Sequence, residues 1–228
     1  MPTPSLSVVI PTFQEGERIG RTLAALTGEL TPEDEILVCD SGSTDGTLEQ
    51  AREAGARIVT APRGRGPQTL LGGKAAERDW ILFLHADTRP AEGWRAAVGA
   101  FASDAANAER AAVFRFTLDD DGPQARRVER LTRWRGRTLG LPYGDQGLLI
   151  SRATYETIGG HRPYPMMEDV EIVRRLGKRR ISELPVDGIT SAIRYRRDGW
   201  WLRPLRNSTL ISLYLLGLPP CWVAKLYE

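Results

Sequence analysis

The chain has 228 residues, 41% hydrophobic and 26% charged, with 23 glycines, 15 prolines and 2 cysteines. This composition excludes a collagen-like repeat, long low-complexity disorder and a small disulfide-stapled scaffold, and the length can bury a full core unaided. A net charge of +2 argues against a general nucleic-acid binder.

Residues 6–10 (Leu-Ser-Val-Val-Ile) read as a buried strand ended by Pro11. Residues 18–26 place Ile19, Leu23 and Leu26 on one face of a helix. Residues 35–39 form a second strand, and residues 47–54 a second helix that Gly55 can cap. Residues 57–60 are a third short strand. After a Gly-rich loop and another helix, residues 80–84 are a fourth. Strands and helices alternating at this spacing predict βαβ units and a mainly parallel sheet covered on both faces. Such sheets bind ligands beyond the carboxyl ends of their strands.

Those ends carry carboxylates: Glu15 after the first strand, Asp40 after the second and Asp87 after the fourth. An acid leaving a buried strand into Ser41-Gly42-Ser43 suits a base imide or a ribose hydroxyl, and equally a turn cap. Asp45 reads as a helix cap or turn residue. No GxGxxG follows the first strand and there is no P-loop. Arg63-Gly64-Arg65-Gly66-Pro67-Gln68 offers flexible backbone and two cations ahead of a helix, as a diphosphate requires. Cys39, behind Ile36-Leu37-Val38, reads as a buried structural thiol, and a reducing compartment fits. Met1-Pro2-Thr3-Pro4 shows no secretion signal. The apolar stretch 210–223 is short for a bilayer span and is broken by Pro219-Pro220.

The charge is divided. In residues 1–114, 16 acidic side chains face 11 basic ones; in residues 115–206, 19 basic face 12 acidic. Either the arginines coat solvated helices or the second half meets an anion.

Taken together, Val8-Val9-Ile10-Pro11-Thr12, Glu15, the turn Asp40-Ser41-Gly42-Ser43-Thr44-Asp45-Gly46 and Phe83-Leu84-His85-Ala86-Asp87 resemble family 2 glycosyltransferases of the GT-A fold. The likeness continues at Gly144-Asp145-Gln146-Gly147 and Met167-Glu168-Asp169. It is greatest to a short bacterial subgroup with His-Ala-Asp in place of Asp-x-Asp. It implies an α/β GT-A (Rossmann-like) domain over residues 1–228. Residues 1–114 would form its nucleotide-sugar half, and residues 115–228 its acceptor half and C-terminal helical segment.

The implied reaction is inverting transfer from a nucleotide-sugar, most often UDP-linked, to an acceptor hydroxyl. Asp169 would be the base, and Glu168 would position the acceptor or its loop. Pro11, Thr12 and Glu15 would line the nucleoside pocket, Asp40 would meet the base, and Gly42 and Ser43 would also bind the nucleotide-sugar. Arg65, Gln68 and Arg196 would serve the diphosphate, and Asp87 would hold Mg²⁺ or Mn²⁺ against it. His85 replaces the first acid of Asp-x-Asp, as a phosphate donor and strand-end histidine more than a metal ligand. Leu70-Leu71 stands where many relatives have Asn. Arg194, Arg196 and Arg197 before Trp200-Trp201 occupy the place of the Arg-Trp element of processive relatives, but the full pattern is absent.

Alternatives remain. A nucleotidyltransferase shares such a sheet but opens with a Gly-rich basic loop, where this chain has Pro-Thr-Phe-Gln-Glu. A non-catalytic nucleotide-sugar binder would explain His85 and Leu70 but not the presence of both Asp87 and Asp169. The apolar C-terminal stretch packs on the sheet, makes a homodimer contact, or meets a bilayer surface helped by the arginines of 126–137, as a lipid-linked acceptor would suit. The expected setting is cytoplasmic, with peripheral contact at the inner face of the membrane as the variant.

Overall fold

The computed structural model describes residues 3–142 and 144–227; Met1, Pro2, Tyr143 and Glu228 lie outside the described residues. Its strands are β1 (Leu6–Thr12), β2 (Glu35–Asp40), β3 (Arg57–Thr60), β4 (Trp80–Phe83), β5 (Thr88–Pro90), β6 (Ala111–Leu118), β7 (Leu148–Ser151) and β8 (Ile181–Thr190). The helices are α1 (Ile19–Thr27), α2 (Thr47–Glu53), α3 (Arg65–Ala75), α4 (Trp94–Ser103), α5 (Pro123–Leu139), α6 (Arg152–Thr157), α7 (Glu168–Leu176), α8 (Ile193–Asp198), α9 (Leu202–Leu215) and α10 (Pro220–Tyr227).

One eight-stranded sheet runs β3-β2-β1-β4-β7-β6-β8-β5. The four strands read from the sequence pair in parallel, with Thr12 opposite Asp40 and Val9 opposite Phe83. β1 continues past Pro11 to Thr12. The rest of the sheet is mixed: β7 runs antiparallel to both β4 and β6, β8 is parallel to β6, and β5 is antiparallel to β8.

Alternation along the strands sends side chains to opposite faces, and both faces are covered. Val8, Ile10, Val38 and Leu82 pack under α1, α2 and α4 with Ile19, Leu23 and Trp94. Val9, Leu37, Cys39 and Phe83 pack under α6 and α7 with Tyr155, Ile172 and Val173. Over that second face α3 lies so close that a Cβ on Gly72 would come within 2.3 Å of Val9 and 2.6 Å of Cys39 Sγ. This close approach explains Gly72 inside a helix, and Gly73 beside it makes room for Tyr155, which a Cβ would meet at 2.5 Å. Burial pushes the Cys39 thiol up to about 12, which makes it inert. At the base of the sheet the Arg95 guanidinium grips Asp34 with two bonds of 2.8 and 2.9 Å and reaches Pro4 O at 2.8 Å.

The C-terminal helices are held more lightly. A small cluster of Leu141, Met167, Val170, Leu210, Ile211 and Val223 seats α9 and α10 against the start of α7. No helix among the described residues is long and apolar enough to cross a membrane.

Candidate active site

The parallel strands β1, β2 and β4 end at one edge of the sheet. β7, running the other way, begins there, with Leu148 opposite Phe83. β8 ends there too: Ser191 N–H donates to Asp87 O at 3.0 Å, and the Thr88 and Thr190 hydroxyls bond at 2.9 Å. This edge therefore gathers the loops after β1, β2, β4 and β8, the turn before β7 and the N-terminus of α7.

The loop after β2 is built on Asp40, which is 3% exposed. One carboxylate oxygen accepts the N–H groups of Gly42 (2.7 Å) and Ser43 (2.8 Å); the other accepts the hydroxyls of Ser43 (2.5 Å) and Thr12 (3.0 Å). A carboxylate has about four acceptor positions, and all are taken. Asp40 is thus the turn cap rather than a free hand for a base. Gly42 follows with φ +86°, a backbone state that glycine adopts without strain. Asp45 is a turn residue, accepting Thr47 Oγ1 at 2.6 Å and Gly16 N–H at 2.8 Å.

Two more expectations need correction. Gln68 is buried, and its Nε2 donates to Thr12 O (2.5 Å) and Cys39 O (2.9 Å), so it ties the ends of β1 and β2 to α3 instead of facing a ligand. Arg196 points away: its guanidinium donates to Asp120 at 2.6 and 2.9 Å. Residues two apart on a helix lie about 200° apart, so Arg194 is the member of that pair that enters the cleft. Pro11 faces a smaller cavity behind the cleft, and Thr12 is buried.

At the centre, Arg194 bridges two strand ends, 3.1 Å from Glu15 and 3.6 Å from Asp87. Glu15 also holds Arg18 at 2.7 Å; burial raises its carboxyl above the ordinary range against the pull of both arginines. Arg65, on the first turn of α3, stands in the field of Glu168, Asp169 and Asp87. Arg63 instead lies 4.5 Å over the Phe13 ring. His85 is neutral, lowered to about 4 by burial first and by Arg65 next.

Asp169 occupies the first turn of α7. Its Oδ2 accepts Gly144 N–H and its Oδ1 accepts Val170 N–H, both at 2.8 Å. A Cβ on Gly144 would fall 2.6 Å from His85 Nε2 and 3.2 Å from Asp169 Oδ2, so only glycine lets these groups meet. Glu168, beside it, is 2% exposed and its Oε2 has no hydrogen-bond partner among the described residues. Burial first, then the Asp169 charge, push it up to about 8, so it is largely a neutral acid at pH 7. Met167, just before α7, has φ +69°, and Gln14 in the loop after β1 has φ +54°. Both non-glycine residues in this strained region border the site, as functional loops often do.

The structure therefore brings together Glu15, Arg65, Asp87, Glu168 and Asp169 and leaves Gln68 and Arg196 out. It adds Asp145, which lines the cleft and is raised to about 6 by burial. The sequence carried a signal for it, the Gly144-Asp145-Gln146-Gly147 turn. It also adds Arg203, Asn207, Leu210 and Ile211 of α9 and Tyr227 of α10, which wall one side. Their i, i+4, i+7 and i+8 spacing marks one helical face, but nothing in the pattern says that the face meets this cleft.

Comparison with known proteins identifies the family and the fold. Residues 7–153 match the family model described as Glycosyl transferase family 2. Among curated proteins, glycosyltransferase AglE of Haloferax volcanii is 46% identical over 52 residues, 22% of this chain and 17% of that protein. Glycosyltransferase AglJ of the same organism is 42% identical over 60 residues, 26% of this chain and 19% of that protein. The matched stretch thus spans less than a fifth of either relative. Among solved structures, glucosyl-3-phosphoglycerate synthase from Mycobacterium tuberculosis, in complex with Mn²⁺, UDP and glucosyl-3-phosphoglycerate, superposes with a TM-score of 0.57. Its identity is 20%, over 82% of this chain and 70% of that one. That likeness shows the GT-A-like fold.

Proposed function

The chain belongs to glycosyl transferase family 2, and on that premise we propose that it moves a sugar from a nucleotide-sugar, UDP-linked in the simplest case, to an acceptor hydroxyl with inversion. The observation that carries this reading is the seating of Asp169, whose two oxygens each accept one backbone N–H in a cleft shared with Arg65, Asp87 and Arg194. Those bonds fix the carboxylate and leave lone pairs for an incoming hydroxyl. Asp169 takes the proton as the acceptor oxygen bonds to the anomeric carbon, and the bond from that carbon to the diphosphate oxygen breaks on the opposite side. Arg65 and Arg194 would neutralise charge on the departing diphosphate.

A divalent cation fits the residues present. Asp87 offers a cleft-facing carboxylate that accepts no hydrogen bond among the described residues, its Arg194 neighbour standing at 3.6 Å. No group of three His, Cys, Asp or Glu side chains converges among the described residues. Mg²⁺ or Mn²⁺ would therefore arrive with the diphosphate and be held by Asp87, an arrangement hard cations accept. When bound it adds charge neutralisation to the leaving group.

In this reading the chain is one catalytic unit, residues 1–114 serving the donor and the remainder the acceptor, except that Arg194 crosses to the donor side. The acceptor meets Met166, Leu210, Ile211 and Tyr227, a wall suited to a sugar or to the polar end of a lipid-linked molecule. The test is titration of UDP- and GDP-sugars with and without Mn²⁺, followed by an assay of nucleoside diphosphate release. Metal-dependent binding and release support transfer; release of pyrophosphate from a nucleoside triphosphate overturns it in favour of nucleotidyl transfer.

A further inference from the structure

We infer that the outer face of α5 and the start of α9 form a docking surface for an anionic phospholipid bilayer. On α5, Arg127, Leu131 and Trp134 recur at i, i+4 and i+7 and so share one stripe. The Arg127 guanidinium lies 3.4 Å over the Trp201 ring, which joins that stripe to the turn entering α9. Leu202 and Leu205 continue from Trp201 along α9. Leu131, Trp134, Trp201, Leu202 and Leu205 are between 52% and 69% exposed, far more than scattered surface apolar residues require.

The cations around this patch decide what covers it. Arg127, Arg130 and Arg133 have no acidic partner among the described residues, whereas Arg126 and Arg137 are paired with Asp121, Glu129 and Glu183. Trp and Leu interleaved with arginines that have no acidic partner, on helices that lie along the surface, match an interface of apolar chains beneath anionic headgroups. A second copy of the chain would set the same arginines against one another. The surface is distinct from the reaction chemistry, yet α9 joins the two: its inner face walls the cleft with Arg203, Asn207 and Leu210, and its outer face carries Leu202 and Leu205.

The test is co-sedimentation of the full chain with phosphatidylcholine vesicles, with and without phosphatidylglycerol, at low and high salt. The chain should sediment with the anionic vesicles at low salt and be released by high salt. Arg130→Glu with Arg133→Glu should lower the bound fraction about tenfold or more, and Trp134→Ala with Trp201→Ala should weaken the binding seen at low salt. Arg52→Glu, an exposed charge reversal on α2, should leave it unchanged. Thermal melts and donor titration show that each variant is folded. No sedimentation of the folded chain, equal binding to neutral vesicles, or a dimer in sedimentation velocity that Trp201→Ala dissolves in place of vesicle binding would each overturn the inference. Because vesicle binding needs neither donor nor turnover, its failure is distinguishable from failure of the proposed transfer reaction.

Discussion

All the exposed large hydrophobic side chains among the described residues fall between Leu131 and Leu226, whereas the strands from Leu6 to Leu84 bury theirs under helices on both faces. The N-terminal half is a sheet layer with two covered sides. The C-terminal half adds α5, α9 and α10, each buried along one stripe only. The charges divide less cleanly than the composition suggests, because each half supplies a cation to the other's carboxylates. Arg194 reaches Glu15 and Asp87, and Arg65 faces Glu168 and Asp169. The acidic and basic halves are therefore not two separate binding surfaces. They interlock at the cleft, and the surplus arginines lie outside it.

The sharpest way to break this contrast is at the cleft itself. Asp169→Asn should lower nucleoside diphosphate release by about 10²–10⁴-fold with donor affinity unchanged in a binding titration; near-normal turnover would remove Asp169 as the base. In the covered half, Leu82→Ala should cost about 2–5 kcal/mol of stability, read as a lower denaturant midpoint. Asp87→Ala should weaken metal-dependent donor binding by about tenfold or more, and the loss should be absent without metal.

A pH series singles out Glu168 of α7. Because the Glu168 pKa is raised from 4.5 to about 8, its neutral form favours the folded state. That stabilisation is complete below the unfolded pKa and declines until it is gone above about 8. Glu168→Gln, which mimics the neutral acid, should flatten this slope in a chemical-denaturation series while retaining transfer at pH 7. A Glu168→Gln variant with an unchanged slope would show that another group governs it. The smallest effect is expected in the exposed half, where Trp134→Ala should change stability by no more than about 0.5 kcal/mol while reducing vesicle binding.

The sequence by itself determined the four parallel strands, because their apolar runs and the intervening helical periods are local signals. It also placed Glu15, Asp87 and Asp169 as candidate acids, because a strand end or helix start marks each. The turn role of Asp45 and the buried thiol of Cys39 were legible for the same reason. The tertiary structure alone decided the rest. It showed β7 reversed between β4 and β6, which carries Gly144 and Asp145 to the edge where the parallel strands end. It chose Arg194 over Arg196, since helix phase decides which arginine enters the cleft. It turned Gln68 and Asp40 inward, since nearby N–H groups and carbonyls claim their polar atoms. Composition and spacing record which chemistry a chain carries; which groups are free to use it depends on contacts between residues as far apart as Glu15 and Arg194, and those exist only once the sheet has formed.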